Sequence, residues 1–129
     1  MPTAAVLTLA FVLAGCGPGS GEDAASKVAV RLLDALQRRD GATACAVLAP
    51  DTATQLEQST GATCPEAILG EGLPAAGAVR QVDVYGQWAR VVLTEDAVFL
   101  ATFPDGWRVV AAGCRPQGER PYDCLLRGR

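Results

Sequence analysis

The chain of 129 residues contains no histidine and only one lysine, Lys27. The missing imidazole excludes Ser-His-Asp and Cys-His nucleophilic catalysis. It also removes the side chain best suited to proton transfer near neutral pH. Positive charge is not in excess: 11 Lys and Arg stand against 14 Asp and Glu, a net charge of −3. A nucleic-acid surface, which needs a basic stripe, is not expected. The cysteines form no C-x-x-C pair and have no histidine partners, so neither a zinc site nor any other metal or cofactor is expected. Gly15, Gly17, Gly19 and Gly21 alternate, but no Lys follows at a helix start, so they make no phosphate loop. The chain is too short for the two lobes of a transporter's solute receptor. The uncharged run Ala4 to Ala14, AAVLTLAFVLA, would reach only ~16 Å as a helix. A bilayer core is ~30 Å thick, so this run is too short to span it.

That run fits the apolar core of a secretory signal. It ends in Leu13-Ala14-Gly15-Cys16, which resembles the lipobox of bacterial lipoproteins. Small Ala14 and Gly15 suit a protease that grips extended backbone, and the Cys16 thiol is a nucleophile that can accept lipid. The resemblance implies diacylglycerol on Cys16, cleavage before it, and acylation of the new amino terminus. Two or more acyl chains hold a protein stably on a membrane where one holds it weakly. The expected organisation is a signal peptide over residues 1–15, a flexible tether over 16–23 and one domain over 24–129. The expected location is the extracytoplasmic face of the cell membrane.

Four cysteines remain: Cys45, Cys64, Cys114 and Cys124. An even remainder in an exported chain reads as two disulfides. Three pairings are possible. The sequence-local one, Cys45–Cys64 with Cys114–Cys124, is favoured because each pair falls within one half of the domain.

The first half of the domain has helical periodicity. Over residues 23–39, Val28, Leu32, Ala35 and Leu36, with Ala29 and Leu33, form one apolar stripe. Lys27, Arg31, Asp34 and Arg38 fall opposite, a solvated face in which Asp34 and Arg38 are an i, i+4 pair. Asp40-Gly41 breaks this helix and Asp40 caps a second, through Leu48. Pro50 is expected to stop it, with Asp51 capping a third over residues 52–59. Thr63-Cys64-Pro65-Glu66 reads as a capping box that opens a short helix ending near Gly70.

From Ala78 the period becomes alternating. Residues 79–85, 88–94, 98–103 and 107–112 read as strands. The turns between them are too short for crossovers, so the four strands form an antiparallel meander. Asp105-Gly106 is the strongest hairpin signal. Phe99, Ala101 and Phe103 should share one face of the third strand, and Trp107, Val109 and Ala111 one face of the fourth. Residues 115–121 read as a polar loop, after which Tyr122-Asp123-Cys124 returns to be crosslinked. Arg115, Arg120, Arg127 and Arg129 make this end basic, read as solvent-facing charge.

Helices followed by a meander give an α+β layered domain, with the helices packed on a curved four-stranded antiparallel sheet. Over residues 24–112 this order of elements resembles the nuclear transport factor 2-like (ketosteroid-isomerase-like) cone, in which a curved sheet wraps a long first helix. The lipobox, the Cys45/Cys64 spacing and GCRP…PYDC (residues 113–116 and 121–124) resemble small lipoproteins of actinobacteria, which implies an envelope location. A cone implies a pocket between helix and sheet. The expected function is a non-catalytic binding or interaction module for an envelope protein or a small apolar ligand. Tyr85, Trp88 and Trp107 are the aromatics available to line a site. The alternative is an enzyme of the polyketide-cyclase or isomerase type. Without histidine its base would be a pocket carboxylate, and Asp83 and Asp34 are the candidates.

Overall fold

The computed structural model describes residues 1–2 and 20–128. Residues 3–19, which hold most of the expected signal, Cys16 and half of the tether, lie outside the described residues. Helix α1 spans Ser20–Gln37, so it starts three residues before the expected tether ends. Ala25, Ala29, Leu32, Leu33 and Ala35 on its inner side are fully buried. Each buried leucine contributes about 1.5–3 kcal/mol of hydrophobic stabilisation. The helix ends in a left-handed turn. Arg39 has φ 58°, while Arg39 N donates to Leu36 O and Asp40 N donates to Ala35 O at 2.8 Å. This is a Schellman closure with arginine where glycine is usual.

Helix α2, Gly41–Ala46, is capped by Asp40, whose Oδ1 accepts from Thr43 N at 3.1 Å. Helix α3 spans Pro50–Thr60. Pro50 therefore opens α3 rather than merely stopping α2, as its missing N–H costs nothing in a first turn. Helix α4, Cys64–Ala67, runs into a 3₁₀ turn at Ile68–Gly70. The expected capping box is not formed there: the Thr63 side chain makes no cap bond. Instead Glu57 Oε2, from α3, accepts from Cys64 N at 3.1 Å. The Cys45–Cys64 disulfide joins α2 to α4. Gly41 lies so close to α4 that a Cβ there would be 2.0 Å from Pro65 O.

Five strands follow, not four: β1 Val79–Tyr85, β2 Trp88–Leu93, β3 Ala97–Phe103, β4 Gly106–Gln117 and β5 Arg120–Arg127. They form one antiparallel sheet in the order β1-β2-β3-β4-β5. The stretch expected to be a loop over 115–121 is the end of β4, the Gly118-Glu119 turn and the start of β5. Its two prolines hide the strand signal. Pro116 sits in an irregularity between Arg115 and Gln117, and Pro121 is on an edge strand, where a missing donor is tolerated. Cys114 and Cys124 are cross-strand partners and are disulfide-bonded.

The helices cover one side of the sheet. Ala89, Val91, Leu93, Val98, Leu100, Val109 and Ala112 meet Leu32, Leu33, Leu48 and Ile68 in a single core. Phe99, Ala101 and Phe103 do share a face, the opposite one, because Phe99 pairs with Arg90 and Ala101 with Trp88. The expected alignment of Val109 with Ala111 fails at a bulge. Leu100 pairs with Val109 but its neighbour Phe99 pairs with Ala111, so Val110 is an extra residue. A bulge of this kind flips the alternation. The free edge of β4 beside it is covered. Val109 N donates to Val47 O and Ala49 N donates to Val109 O, both at 2.8 Å. The Oγ1 of buried Thr52 and the backbone N of Gly128 both donate to Val110 O at 3.0 Å. Arg108 is paired with Asp105, and its Nη1 donates to Ala46 O at the end of α2 at 2.6 Å. No helix among the described residues is long and apolar enough to cross a membrane.

Candidate functional site

The space between α1 and the sheet, where a cone would hold its ligand, is packed with Leu32, Leu33, Val91, Val98, Leu100 and Val109, each at most 0% exposed. The expected pocket is filled: Val91, Val98, Leu100 and Val109 from β2, β3 and β4 form one core with Leu32 and Leu33 of α1, and Ala25, Ala29, Ala35, Ala89 and Ala112 belong to the same cluster. The open clefts lie on the periphery. Of the three aromatics proposed for a pocket, Trp88 lines a peripheral cleft of about 290 Å³ with Phe103, Thr52 and Arg127, and neither Tyr85 nor Trp107 joins it there. Trp107 is half-buried against the core. Tyr85 and Trp88 are direct cross-strand partners at the β1–β2 hairpin and are 55% and 53% exposed.

The side of the sheet away from the helices carries the remaining polar chemistry. The two-residue Gly86-Gln87 turn sets the β1–β2 register, which puts Asp83 opposite Arg90. Arg90 Nη2 and Nε donate to Asp83 Oδ2 at 2.6 and 3.1 Å. Gln81 Nε2 donates to both carboxylate oxygens, at 3.1 and 3.0 Å. These bonds, Gln81 first and Arg90 next, hold the Asp83 carboxyl below its ordinary pKa. Arg90 also donates through Nη1 to Tyr122 Oη at 3.3 Å, and the Tyr122 ring stands edge-on to Phe99 with centroids 5.0 Å apart. Such an aromatic pair adds about 0.5–1.5 kcal/mol beyond area burial. Arg90, Phe99 and Tyr122 thus form one ordered cluster on three strands.

Next to it is a cleft of about 300 Å³ whose walls include Val92, Asp96, Arg115, Pro116 and Tyr122. Asp96, at the β2–β3 turn, is 6% exposed. Its Oδ2 accepts from Gly113 N at 3.1 Å and its Oδ1 from Cys114 N at 2.8 Å. Gly113, at φ 65°, is where β4 twists to bring these N–H groups to one carboxyl. A side chain there would crowd Leu73 and Leu125. Burial pushes the Asp96 pKa up, against the lowering effect of the backbone N–H groups of Gly113, Cys114 and Ala97.

The residues that sequence reasoning passed over are Arg90, Asp96, Phe99 and Tyr122. Arg90 was legible, since a two-residue turn dictates its pairing with Asp83. Asp96 was not, because its partners lie 17 and 18 residues away. The two carboxylates considered as bases are placed otherwise. Asp34 is exposed on α1, and Asp83 is committed to Arg90 and Gln81 on the uncovered face. Among the described residues no three Cys, Asp or Glu side chains are grouped so as to hold a metal ion. Compared with protein-family models, curated proteins and solved structures, the chain has no match.

Proposed function

We propose that this chain is a lipid-anchored lipoprotein of the extracytoplasmic membrane face that acts as a binding or interaction module. Its recognition surface is the uncovered side of the sheet. The observation that carries this reading is the Arg90–Phe99–Tyr122 cluster beside the Asp96–Arg115 cleft: ordered aromatic and guanidinium groups, each partly exposed on the side away from the helices. Aromatic and arginine side chains in such settings supply most of the energy of interfaces. The lipobox Leu13–Cys16 supports the anchor, and two disulfides suit an oxidising compartment. We read the sheet as the curved wall of a cone-like domain related to the nuclear transport factor 2-like fold. Irregularities at Val79/Gln81, Phe99/Leu100 and Arg115/Gln117 support curvature, since bulges bend strands. The interior of this cone is core, so the ligand or envelope partner meets the outer wall. No observation favours the acid–base enzyme reading.

The test is native mass spectrometry and chemical crosslinking of protein in its own membranes. A bound mass or a defined crosslinked partner should be retained in an Arg31→Ala variant, whose change lies on the helical face. It should be lost in an Arg90→Ala, Tyr122→Ala variant. Equal retention in both variants sinks the reading.

A further inference from the structure

Exposed large apolar side chains are few on this domain. Between residues 20 and 128 they are Val79, Val84, Tyr85, Trp88 and Leu125. Three of the five sit at the end of the β1–β2 hairpin: Tyr85 faces Trp88 across the ladder on the uncovered side, while Val84, paired with buried Ala89, is on the helix side. The turn residues Gly86 and Gln87 carry no charge. The same end of the molecule receives the start of α1: a Cβ on Gly21 would lie 4.0 Å from Val84 Cγ1. Cys16 precedes Gly21 by five residues, which span at most ~18 Å even when fully extended. A domain of about 100 residues has a radius of gyration of about 13 Å. Lipid on Cys16 would therefore keep the hairpin end of the domain within reach of the bilayer.

We infer that the β1–β2 hairpin is a membrane-docking element, with Trp88 and Tyr85 resting in the interfacial layer of the bilayer that holds the anchor. The inference rests on the lipid-anchor reading. The chemistry fits the site. Trp and Tyr rings partition to the boundary between acyl chains and headgroups, where one end is apolar and the other wet. Basic residues do not drive the docking. The first turn of α1 carries Glu22 and Asp23, Arg90 beside Trp88 is neutralised by Asp83, and Arg127, which shares a cleft with Trp88, has the Asp51 carboxylate in the same wall. The contact is therefore apolar and indifferent to lipid charge. It would fix the domain's tilt and leave the Arg90–Tyr122 cluster facing along the membrane surface.

The experiment uses full-length protein purified from membranes and reconstituted in phosphatidylcholine vesicles, part of whose lipid carries bromine near the top of the acyl chains. There are two tryptophans, so a Trp107→Phe variant reports Trp88 alone; the Trp88→Phe variant supplies the complementary signal if the first folds poorly. Trp88 emission should be lower in brominated than in unbrominated vesicles, because an interfacial ring lies at the depth of the bromines. The fall should persist when ionic strength rises from about 0.05 to 0.5 M, where surface charge effects are screened. Tyr85→Ser should weaken it. Intact mass of the same sample reports lipid on Cys16. Lipid present without quenching overturns docking and leaves the anchor standing. Absence of lipid overturns the anchor reading and docking with it.

Discussion

Replacing Asp96 by alanine removes the acceptor for two backbone donors at once. Asp96 is 6% exposed, and Gly113 N and Cys114 N each reach one of its oxygens, at 3.1 and 2.8 Å. A buried donor left without a partner costs about 1–3 kcal/mol. Two such donors set the gross loss. It is offset in part because a carboxyl that burial disfavours as an anion is no longer buried. A net cost of about 2–3 kcal/mol follows, a large fraction of the roughly 5–15 kcal/mol that holds a small domain together. Asp96→Asn keeps one acceptor oxygen and turns an amide donor on the other N–H, so it should cost about half as much.

The pH dependence gives the sharper check. Because the folded pKa lies above the ordinary 3.8, the native state binds more protons than the unfolded chain between that value and the raised one. Wild-type stability from this group is then full below pH ~4 and declines as pH rises through the folded value. The deficit of Asp96→Asn relative to wild type should thus be greatest at acid pH and should narrow towards neutrality. Urea unfolding followed by circular dichroism, with disulfides intact and over pH 3.5–7, measures both quantities. An alanine variant within ~0.5 kcal/mol of wild type, the usual scatter of a surface change, refutes the assignment of Asp96 as the clasp of β4. A deficit that widens with pH refutes the burial argument.

The other predictions are independent of this one. Arg39→Gly should raise stability by about 1 kcal/mol, because glycine adopts φ 58° without the left-handed penalty; a lower melting temperature contradicts the Schellman closure. Gly41→Ala should destabilise by at least about 1–3 kcal/mol, as its Cβ would lie 2.0 Å from Pro65 O and α2 must move off α4; unchanged thermal unfolding contradicts that approach. Opening Cys45–Cys64 with a double serine variant should cost about 3 kcal/mol for a 19-residue separation, and non-reduced peptide mapping should recover that pair together with Cys114–Cys124. Asp40 and Asp83 have lowered pKa values, from the Thr43 hydroxyl and backbone N–H and from Gln81 and Arg90. Their contribution is present above pH ~4 and is lost as pH falls through the folded values; in an Asp83→Asn variant the acid limb of the stability curve should be shallower.

The helical half was legible because its signals are local. The stripe of Ala29, Leu32, Leu33 and Ala35 repeats at the helical period, and Asp40 caps α2 through a bond to a residue three positions on. The two-residue hairpin turns and the alternation of β1 to β3 were local in the same sense. Even the cysteine pairing, one of three, could be favoured from separation alone. The errors mark where distant residues decide. Thr63 and Glu66 have the letters of a capping box, but Glu57 from α3 takes the donor at Cys64. Strand β5 alternates only from Tyr122 onward and opens on Arg120-Pro121, which reads as a turn; it is a strand because β4 lies beside it and the Cys114–Cys124 bond holds it there.

By itself, the sequence determined the α+β order, the sulfur pairing it favoured and the absence of any imidazole chemistry, since each depends on which residues are present or are near neighbours along the chain. Only the tertiary structure decided which face of the sheet is covered and that the helix–sheet interior is full. It alone assembled Asp83, Arg90, Phe99 and Tyr122 on one wall and set the Tyr85–Trp88 hairpin beside the start of α1. The reason is register: one bulged residue such as Val110 exchanges the faces of everything beyond it, and its position follows from pairing between strands rather than from the pattern of any one of them.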